Sequence, residues 1–154
     1  EIFEHLYPIR TRRFSLRENS GGIGKYRGGL GAVIEIELLA EEATVGFMGD
    51  RTKFSPQGMH GGGEGAKNDV YILRQNGLTE RLPFGAKGGV IMKKGDVLVL
   101  QTPGGGGYGN PEERDRELVL KDIVNEIITL DEAKRDYNIG PVSEGELNAV
   151  KMKM

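Results

Sequence analysis

The sequence has no cysteine and no tryptophan, and only two histidines, His5 and His60. Without cysteine there is no disulfide scaffold and no thiolate chemistry, a pattern compatible with the cytoplasm, which is the expected location. The histidines are far apart and show no metal-ligand spacing such as H-E-x-x-H, so no metal held wholly by this chain is expected. The longest apolar run, Val97 to Leu100, is far too short to cross a bilayer. The start, Glu1-Ile2-Phe3-Glu4-His5, has neither the basic nor the apolar region of a signal peptide. A net charge of −2 argues against a nucleic-acid partner. The chain has no initial Met and opens in what reads as the middle of a pattern, so a piece of a longer protein is expected.

What is abundant is glycine. It supplies 25 of 154 residues, more than twice the usual share of roughly 7%. Twenty-three of the 25 fall in residues 1–109, which splits the chain into a Gly-rich part and a Gly-poor, charged part. The main clusters are Gly21-Gly22-Ile23-Gly24, Gly28-Gly29-Leu30-Gly31, Gly61 to Gly65 and Gly104 to Gly107. Glycine in series costs backbone entropy, so it is placed where main chain meets main chain or a ligand. Closely packed polyproline-like segments are one such solution.

Short strands are expected between the glycine turns. In Ala32 to Ala40, Ile34, Ile36 and Leu38 alternate with Glu35 and Glu37, the pattern of a half-buried strand. Ala43, Val45 and Phe47 give a second strand, with Glu41-Glu42 as a hairpin connection to the first. Val70 to Leu73 and Val97 to Leu100 read as strands covered on both faces. Arg12 to Arg17 reads as a strand with Phe14 and Leu16 facing in and its arginines on a solvated face or edge. The basic stretch around it, with Arg10, Lys25 and Arg27, reads as a solvated face or an interface to an acidic partner.

Asn110-Pro111-Glu112-Glu113 has the form of a helix start, with Asn110 as cap and Pro111 at the first position. Val119, Ile123, Ile127 and Leu120, Val124, Ile128 form one apolar stripe, with Ile127-Ile128 at its ragged end. Thr129-Leu130-Asp131-Glu132 is a capping box opening a second helix through about Tyr137, stopped by Gly140-Pro141. The expected fold is therefore mainly β, with barrel-like or sandwich sheets and Gly-rich polyproline-II-like or loop segments. One or two short C-terminal α-helices follow. Residues 1–109 read as a Gly-rich β domain, 110–140 as its helical extension and 141–154 as a disordered tail.

Several motifs have the outline of a catalytic signature. Gly104 to Gly109 satisfies G-x-G-x-x-G between a strand and a helix, but Pro103 and Pro111 flank it and no βαβ unit encloses it. His60-Gly61-Gly62-Gly63 has the form of an oxyanion loop, yet none of Ser15, Ser20, Ser55 and Ser143 sits in a G-x-S-x-G elbow. Gly21-Gly22-Ile23-Gly24-Lys25 lacks the spacing of a phosphate loop. The most informative polar cluster is Gly49-Asp50-Arg51-Thr52-Lys53-Phe54, on a loop after a strand. There Asp50 can orient Arg51 or Lys53 toward a carboxylate or phosphate, or pin the loop as a salt bridge. The candidate catalytic residues are Asp50, Arg51 and His60. The candidate substrate-binding residues are Lys53, Gly104, Gly105 and Gly106.

An ordered series of motifs resembles the C-terminal portion of the hydantoinase B/5-oxoprolinase family. It runs through Tyr7-Pro8-Ile9-Arg10, Ser20-Gly21-Gly22, Gly24 to Gly31, Gly49-Asp50-Arg51 with Lys53-Phe54, and Gly58 to Gly65. It continues through Lys94-Gly95-Asp96-Val97, Thr102 to Pro111, Arg114-Asp115, Leu130 to Ala133 and Tyr137. The resemblance covers roughly residues 4–139 and departs at Asn125-Glu126, where the family pattern carries a glycine. It implies a subunit several times longer than this chain, paired with a kinase-like, ATP-binding subunit of the hydantoinase A type. The pair would open a cyclic amide such as a hydantoin, 5-oxoproline or a lactam. The alternatives are a component of an ATP-dependent ketone carboxylase and a non-catalytic β assembly module. By the same resemblance this chain binds no cofactor, ATP and Mg belong to the partner subunit, and any metal belongs to the absent N-terminal part. The isolated chain is expected to be inactive.

Overall fold

The computed structural model describes residues 2–82 and 89–153. They form two compact units, each assembled from separate stretches of sequence. The first unit takes residues 1–16, 32–54 and 67–102, and the second takes 17–31, 55–66 and 103–154.

The first unit opens with a one-turn helix, α1 (Ile2–Leu6), and holds seven strands. These are β1 (Ile9–Leu16), β2 (Ala32–Leu38), β3 (Glu42–Val45), β4 (Asp69–Leu73), β5 (Thr79–Arg81), β6 (Val90–Lys93) and β7 (Val97–Gln101). Five make an antiparallel sheet in the order β1-β2-β7-β4-β5, and among the described residues β3 pairs with β6. The five-stranded sheet is open, ending on β1 and β5, so the barrel-like expectation is corrected to an unclosed sheet. The hairpin expected between β2 and β3 is also corrected. Both sides of β2 are taken, by β1 and β7, so β3 must find another partner. It finds β6, where Glu42 pairs with Lys93, and Lys94 follows to reach Glu41 at 2.9 Å.

Register places Ile36, Leu98 and Ile72 in one row across the sheet, with Ile34, Leu100 and Val70 in the next. Leu38 and Ile72 on this face are buried with Met92 of β6, and Ala43, Val45 and Val90 pack around them. Val33, Val97 and Val99 form a smaller cluster with Tyr71 on the opposite face. Phe14 and Leu16, expected to face in, are 74% and 63% exposed. Their strand pairs at Ile34 and Ala32, roughly 13 Å or more along the sheet from Leu38. The β3–β6 cover packs around the Leu38 end of the face.

The arginines of β1 are neutralised inside the unit. The register of β1 slips between Thr11 and Arg13, which leaves Arg12 as the extra residue of a bulge. Arg10 and Arg12 can therefore both reach the one buried carboxylate of Glu37, at 2.6 and 2.9 Å. Hydrogen bonds from Arg12 and then Arg10 hold Glu37 below the usual carboxylate range.

The second unit is built on glycine. Residues 20–31, 55–66 and 103–109 contain no named strand or helix, yet their main chains bond each other closely. Gly22 N–H donates to Gly105 O at 2.8 Å, Gly105 N–H to Gly29 O at 2.8 Å, Gly63 N–H to Ile23 O at 2.7 Å and Gly107 N–H to Gly63 O at 2.9 Å. A Cβ on Gly104 would overlap the carbonyl of Ser20, one on Gly62 the carbonyl of Gly107, and one on Gly106 the carbonyl of Gln57. The obstacles are backbone atoms, which cannot rotate away.

Three longer helices complete this unit: α2 (Arg116–Val124), α3 (Leu130–Tyr137) and α4 (Glu144–Lys153). Pro111–Glu113 forms only a 3-10 turn capped by Asn110, and the α-helix begins later because Asp115 accepts from Glu117 N–H at 2.7 Å. The Thr129/Glu132 capping box opens α3 as expected. Val119, Ile128, Ala133 and Tyr137 bury the apolar stripe. Residues 144–153, expected to lie in a disordered tail, form α4. Ser143 and Glu146 cap each other there, Arg116 bonds Glu146 at 3.1 Å, and Val150 is buried. The structure thus has three C-terminal helices where one or two were expected. No helix of the described residues is long and apolar enough to cross a membrane.

α2 ends in a Schellman arrangement: Ile127 N–H bonds Asp122 O at 2.9 Å and Glu126 N–H bonds Ile123 O at 3.0 Å. The left-handed position of that motif, φ 57°, is held by Glu126 and not by glycine.

Glu126→Gly is expected to raise stability by roughly 0.5–1 kcal/mol, since relief of left-handed strain exceeds the entropy glycine adds. Denaturant unfolding of the two proteins checks it; an unchanged or lower midpoint refutes it. Gly104→Ala is expected to lose about 3 kcal/mol or more by overpacking against backbone. Gly29→Ala, whose Cβ meets nothing within 4 Å, is expected to stay within about 0.5 kcal/mol of the parent. Equal losses in the two variants would refute the steric account.

Candidate functional site

The loop after β3 turns on a close approach at Gly49. A Cβ there would run into the Phe47 ring and lie 3.0 Å from Asn68 Nδ2. The bare Cα lets Asn68 clamp the loop: its side chain donates to Asp50 O at 3.0 Å and its main-chain N–H to Arg51 O at 2.9 Å. The clamp holds Arg51 at φ 64°, a left-handed conformation that costs a non-glycine residue about 1 kcal/mol or more. Asn68 was not singled out in the sequence. No signal there marks it, because it lies 18 residues from Asp50.

Asp50, Arg51, Thr52, Lys53 and Phe54 line one open cavity of about 510 Å³. Asp50, Arg51 and Lys53 are exposed, and Lys53 Nζ sits 5.4 Å from the centre of the Phe54 ring. The salt bridge considered for this loop does not form: Asp50 is not within ion-pair distance of Arg51 or Lys53. Arg51 is the one arginine among the described residues for which the structure shows neither an ion pair nor a side-chain hydrogen bond. The structure therefore brings Asp50, Arg51 and Lys53 together with their polar ends unspent.

His60 and Gly104 to Gly106 are not among the residues lining that cavity. They belong to the second unit. His60, at φ 51°, stands 4.9 Å from the Tyr108 ring, which is itself 6.3 Å from Tyr26. Tyr26 and Tyr108 exchange both main-chain hydrogen bonds, at 3.0 and 2.9 Å. The N–H groups of Gly104, Gly105, Gly107, Tyr108 and Gly109 all donate to carbonyls of the chain itself. A phosphate cradle needs several such donors free, so this run does not fit a nucleotide's phosphates. Among the described residues no group of three or more His, Asp or Glu comes together as a metal site.

Other charged clusters pair their carboxylates internally. Buried Asp96 accepts from Arg74 Nη1 at 2.7 Å, Lys93 N–H at 2.9 Å and Gln75 N–H at 3.2 Å. Burial raises its pKa, but the hydrogen bonds from Lys93, Arg74 and Gln75 outweigh burial and the carboxyl ends below its usual value of 3.8. In the second unit Asp122 is gripped by Arg27 at 3.0 Å and Arg114 at 2.9 Å. Arg114 also faces the Tyr137 ring at 5.8 Å. The Tyr137 hydroxyl and Arg114 Nε are buried without a hydrogen-bond partner, and burial pushes the Tyr137 pKa up.

The sequence model of the Hydantoinase B/oxoprolinase family matches residues 1–111. The chain belongs to that family. It is 41% identical to 5-oxoprolinase 1 of Arabidopsis thaliana over 110 residues, 71% of this chain and 8% of that protein. It is 32% identical to the caprolactamase subunit beta of Pseudomonas jessenii over 154 residues, 96% of this chain and 26% of that subunit. Its fold matches the crystal structure of the ATP-dependent caprolactamase from Pseudomonas jessenii with a TM-score of 0.74 and 26% identity, over 98% of this chain and 27% of that one. The chain thus spans about a quarter or less of the length of these relatives.

The carboxylates of Asp96 and Glu37 have lowered folded-state pKa values, so their stabilisation is complete above the unfolded values and is lost as pH falls through the folded ones. Thermal unfolding between about pH 5 and pH 2 is expected to show a steep loss of stability. Asp96→Asn, less stable at neutral pH, is expected to show a shallower acid slope; a slope equal to the parent's would remove Asp96 from the acid response.

Proposed function

We propose that this chain is the C-terminal part of a subunit that opens a cyclic amide at the expense of ATP, working beside a kinase-like hydantoinase A-type subunit. The observation that carries the reading is the match along nearly the whole chain, in sequence and in fold, to the subunit and crystal structure of an ATP-dependent caprolactamase. The substrate class is a hydantoin, 5-oxoproline or a lactam. Such an amide is a poor electrophile, because its nitrogen lone pair is delocalised into the carbonyl. Phosphoryl transfer from ATP to the amide oxygen creates a leaving group there. Water then adds to the carbon, the C–N bond breaks to leave an acyl phosphate, and a second water hydrolyses it to phosphate and the carboxylate of the ring-opened product. ATP and Mg are assigned to the partner subunit and any metal to the rest of the longer subunit.

Within this chain, Asp50 and Arg51 are assigned the direct polar contribution, with Lys53 beside them. Developing negative charge is best met by donors held nearby, and the Asn68 clamp fixes the main chain from which the Arg51 side chain projects. His60 is kept as a candidate catalytic residue, beside the Tyr108 ring. Gly104, Gly105 and Gly106 contribute by letting the main chain pass closely under the second unit's surface. The chain alone is assigned no turnover, and the cytoplasm is its assigned location.

The test is ADP release by the assembled enzyme with hydantoins, 5-oxoproline, lactams, and ketones plus bicarbonate. Stimulation by cyclic amides is expected; stimulation by ketones alone would refute the reading. Arg51→Ala is expected to cut amide-dependent turnover about tenfold or more, the worth of a charge-assisted hydrogen bond, while assembly survives. Turnover near the parent's would remove Arg51 from the site.

A further inference from the structure

We propose that the cavity lined by Asp50, Arg51, Thr52, Lys53 and Phe54 is a recognition site for a small organic oxyanion, a carboxylate or phosphoryl group carried on an apolar body. Its biological setting rests on the enzyme-subunit reading above, but its binding chemistry does not.

The first support is charge left over. Arginines elsewhere in the described chain meet carboxylates or carbonyls: Arg10 and Arg12 on Glu37, Arg27 and Arg114 on Asp122, Arg74 on Asp96 and Glu80. Arg51 has no such partner, although Asp50 is its neighbour in sequence. The left-handed backbone and the Asn68 clamp fix the main chain that presents this guanidinium to the cavity. Lys53 adds a second cation with no ion pair, and Asp50 one carboxylate, so the cavity carries a net positive charge.

The second support is what surrounds the charge. Phe54 is exposed and forms the apolar part of the wall, and the volume of about 510 Å³ lies within the range of small-ligand sites. A planar guanidinium donates to two oxygens of a carboxylate or phosphoryl group at once. Lys53, held near the Phe54 ring, supplies a point charge beside it. Thr52 offers a hydroxyl. A body stacked on Phe54 with its oxyanion at Arg51 satisfies both halves of the wall, whereas a neutral amide of the same shape would leave both cations unpaired.

The test is titration of this chain with benzoate, phenyl phosphate, acetate, inorganic phosphate and, as the neutral match, benzamide. Binding is read from the NMR shifts of the amides of residues 50–54 and of the Arg51 side chain. Benzoate or phenyl phosphate is expected to saturate these shifts at least tenfold more tightly than benzamide, and the pair tells a carboxylate preference from a phosphoryl one. Arg51→Ala is expected to weaken that binding about tenfold or more and Arg51→Lys by less, with spectra elsewhere unchanged. No saturable shift with any anion, benzamide binding as tightly as benzoate, or an unchanged affinity in Arg51→Ala would each overturn the site. Because the titration needs neither ATP nor a partner, its failure leaves the amide-opening reading to the turnover assay. Failure of that assay leaves the titration standing.

Discussion

The contact of bare main chain with bare main chain is the constraint on which the second unit depends. A β-sheet keeps neighbouring strands about 4.7–4.9 Å apart, and side chains stand off its faces. The segments around Gly22, Gly62 and Gly105 come together without that clearance, so a carbonyl of one lies where the Cβ of the next would be. The hydrogen bonds from Gly22 to Gly105, Gly105 to Gly29 and Gly107 to Gly63 satisfy main-chain groups that such close packing removes from water. The helices supply what glycine cannot. Val119, Ile128, Ala133 and Tyr137 give this unit its apolar cluster, with Ile23 of the glycine region packed against it.

The first unit solves the opposite problem. Its sheet is rich in charge for its size, and the charges are arranged to cancel. One bulge at Arg12 lets two guanidiniums share Glu37, and one buried carboxylate, Asp96, ties the β4–β5 turn to the approach to β7. Against that background the unpaired side chains of the 50–54 loop are an exception with a structural cause. The clamp from Asn68 acts on the loop's main chain, and so leaves its side chains free to meet something else.

Much of this was legible in the sequence wherever one short window carried the cause. The alternation in β2, the runs of β4 and β7 and the Thr129/Glu132 box are local signals, and each element stands where its signal lies. The Asp50-Arg51-Lys53 group was legible because its members are adjacent. What failed was whatever depends on a distant partner. β5 and β6 are three and four residues long and are strands only because β4 and β3 lie beside them. Phe14 and Leu16 have an inward pattern, but the cover sits at the other end of their face. The Ser143/Glu146 cap of α4 was a readable signal passed over because no apolar period accompanied it.

The open margin of the sheet at β1 has a further meaning for how this polypeptide behaves in concentrated solution. A border strand that shows Phe14 and Leu16 on one face is a surface onto which a second extended chain can add. The kink at Arg12 breaks the regular spacing of amides along that border, and Arg10, Arg12 and Arg13 line it with partly exposed guanidiniums paired to Glu37 and Glu35. The same three arginines that knit β1 to its neighbour therefore also keep its outer margin charged rather than uniformly apolar.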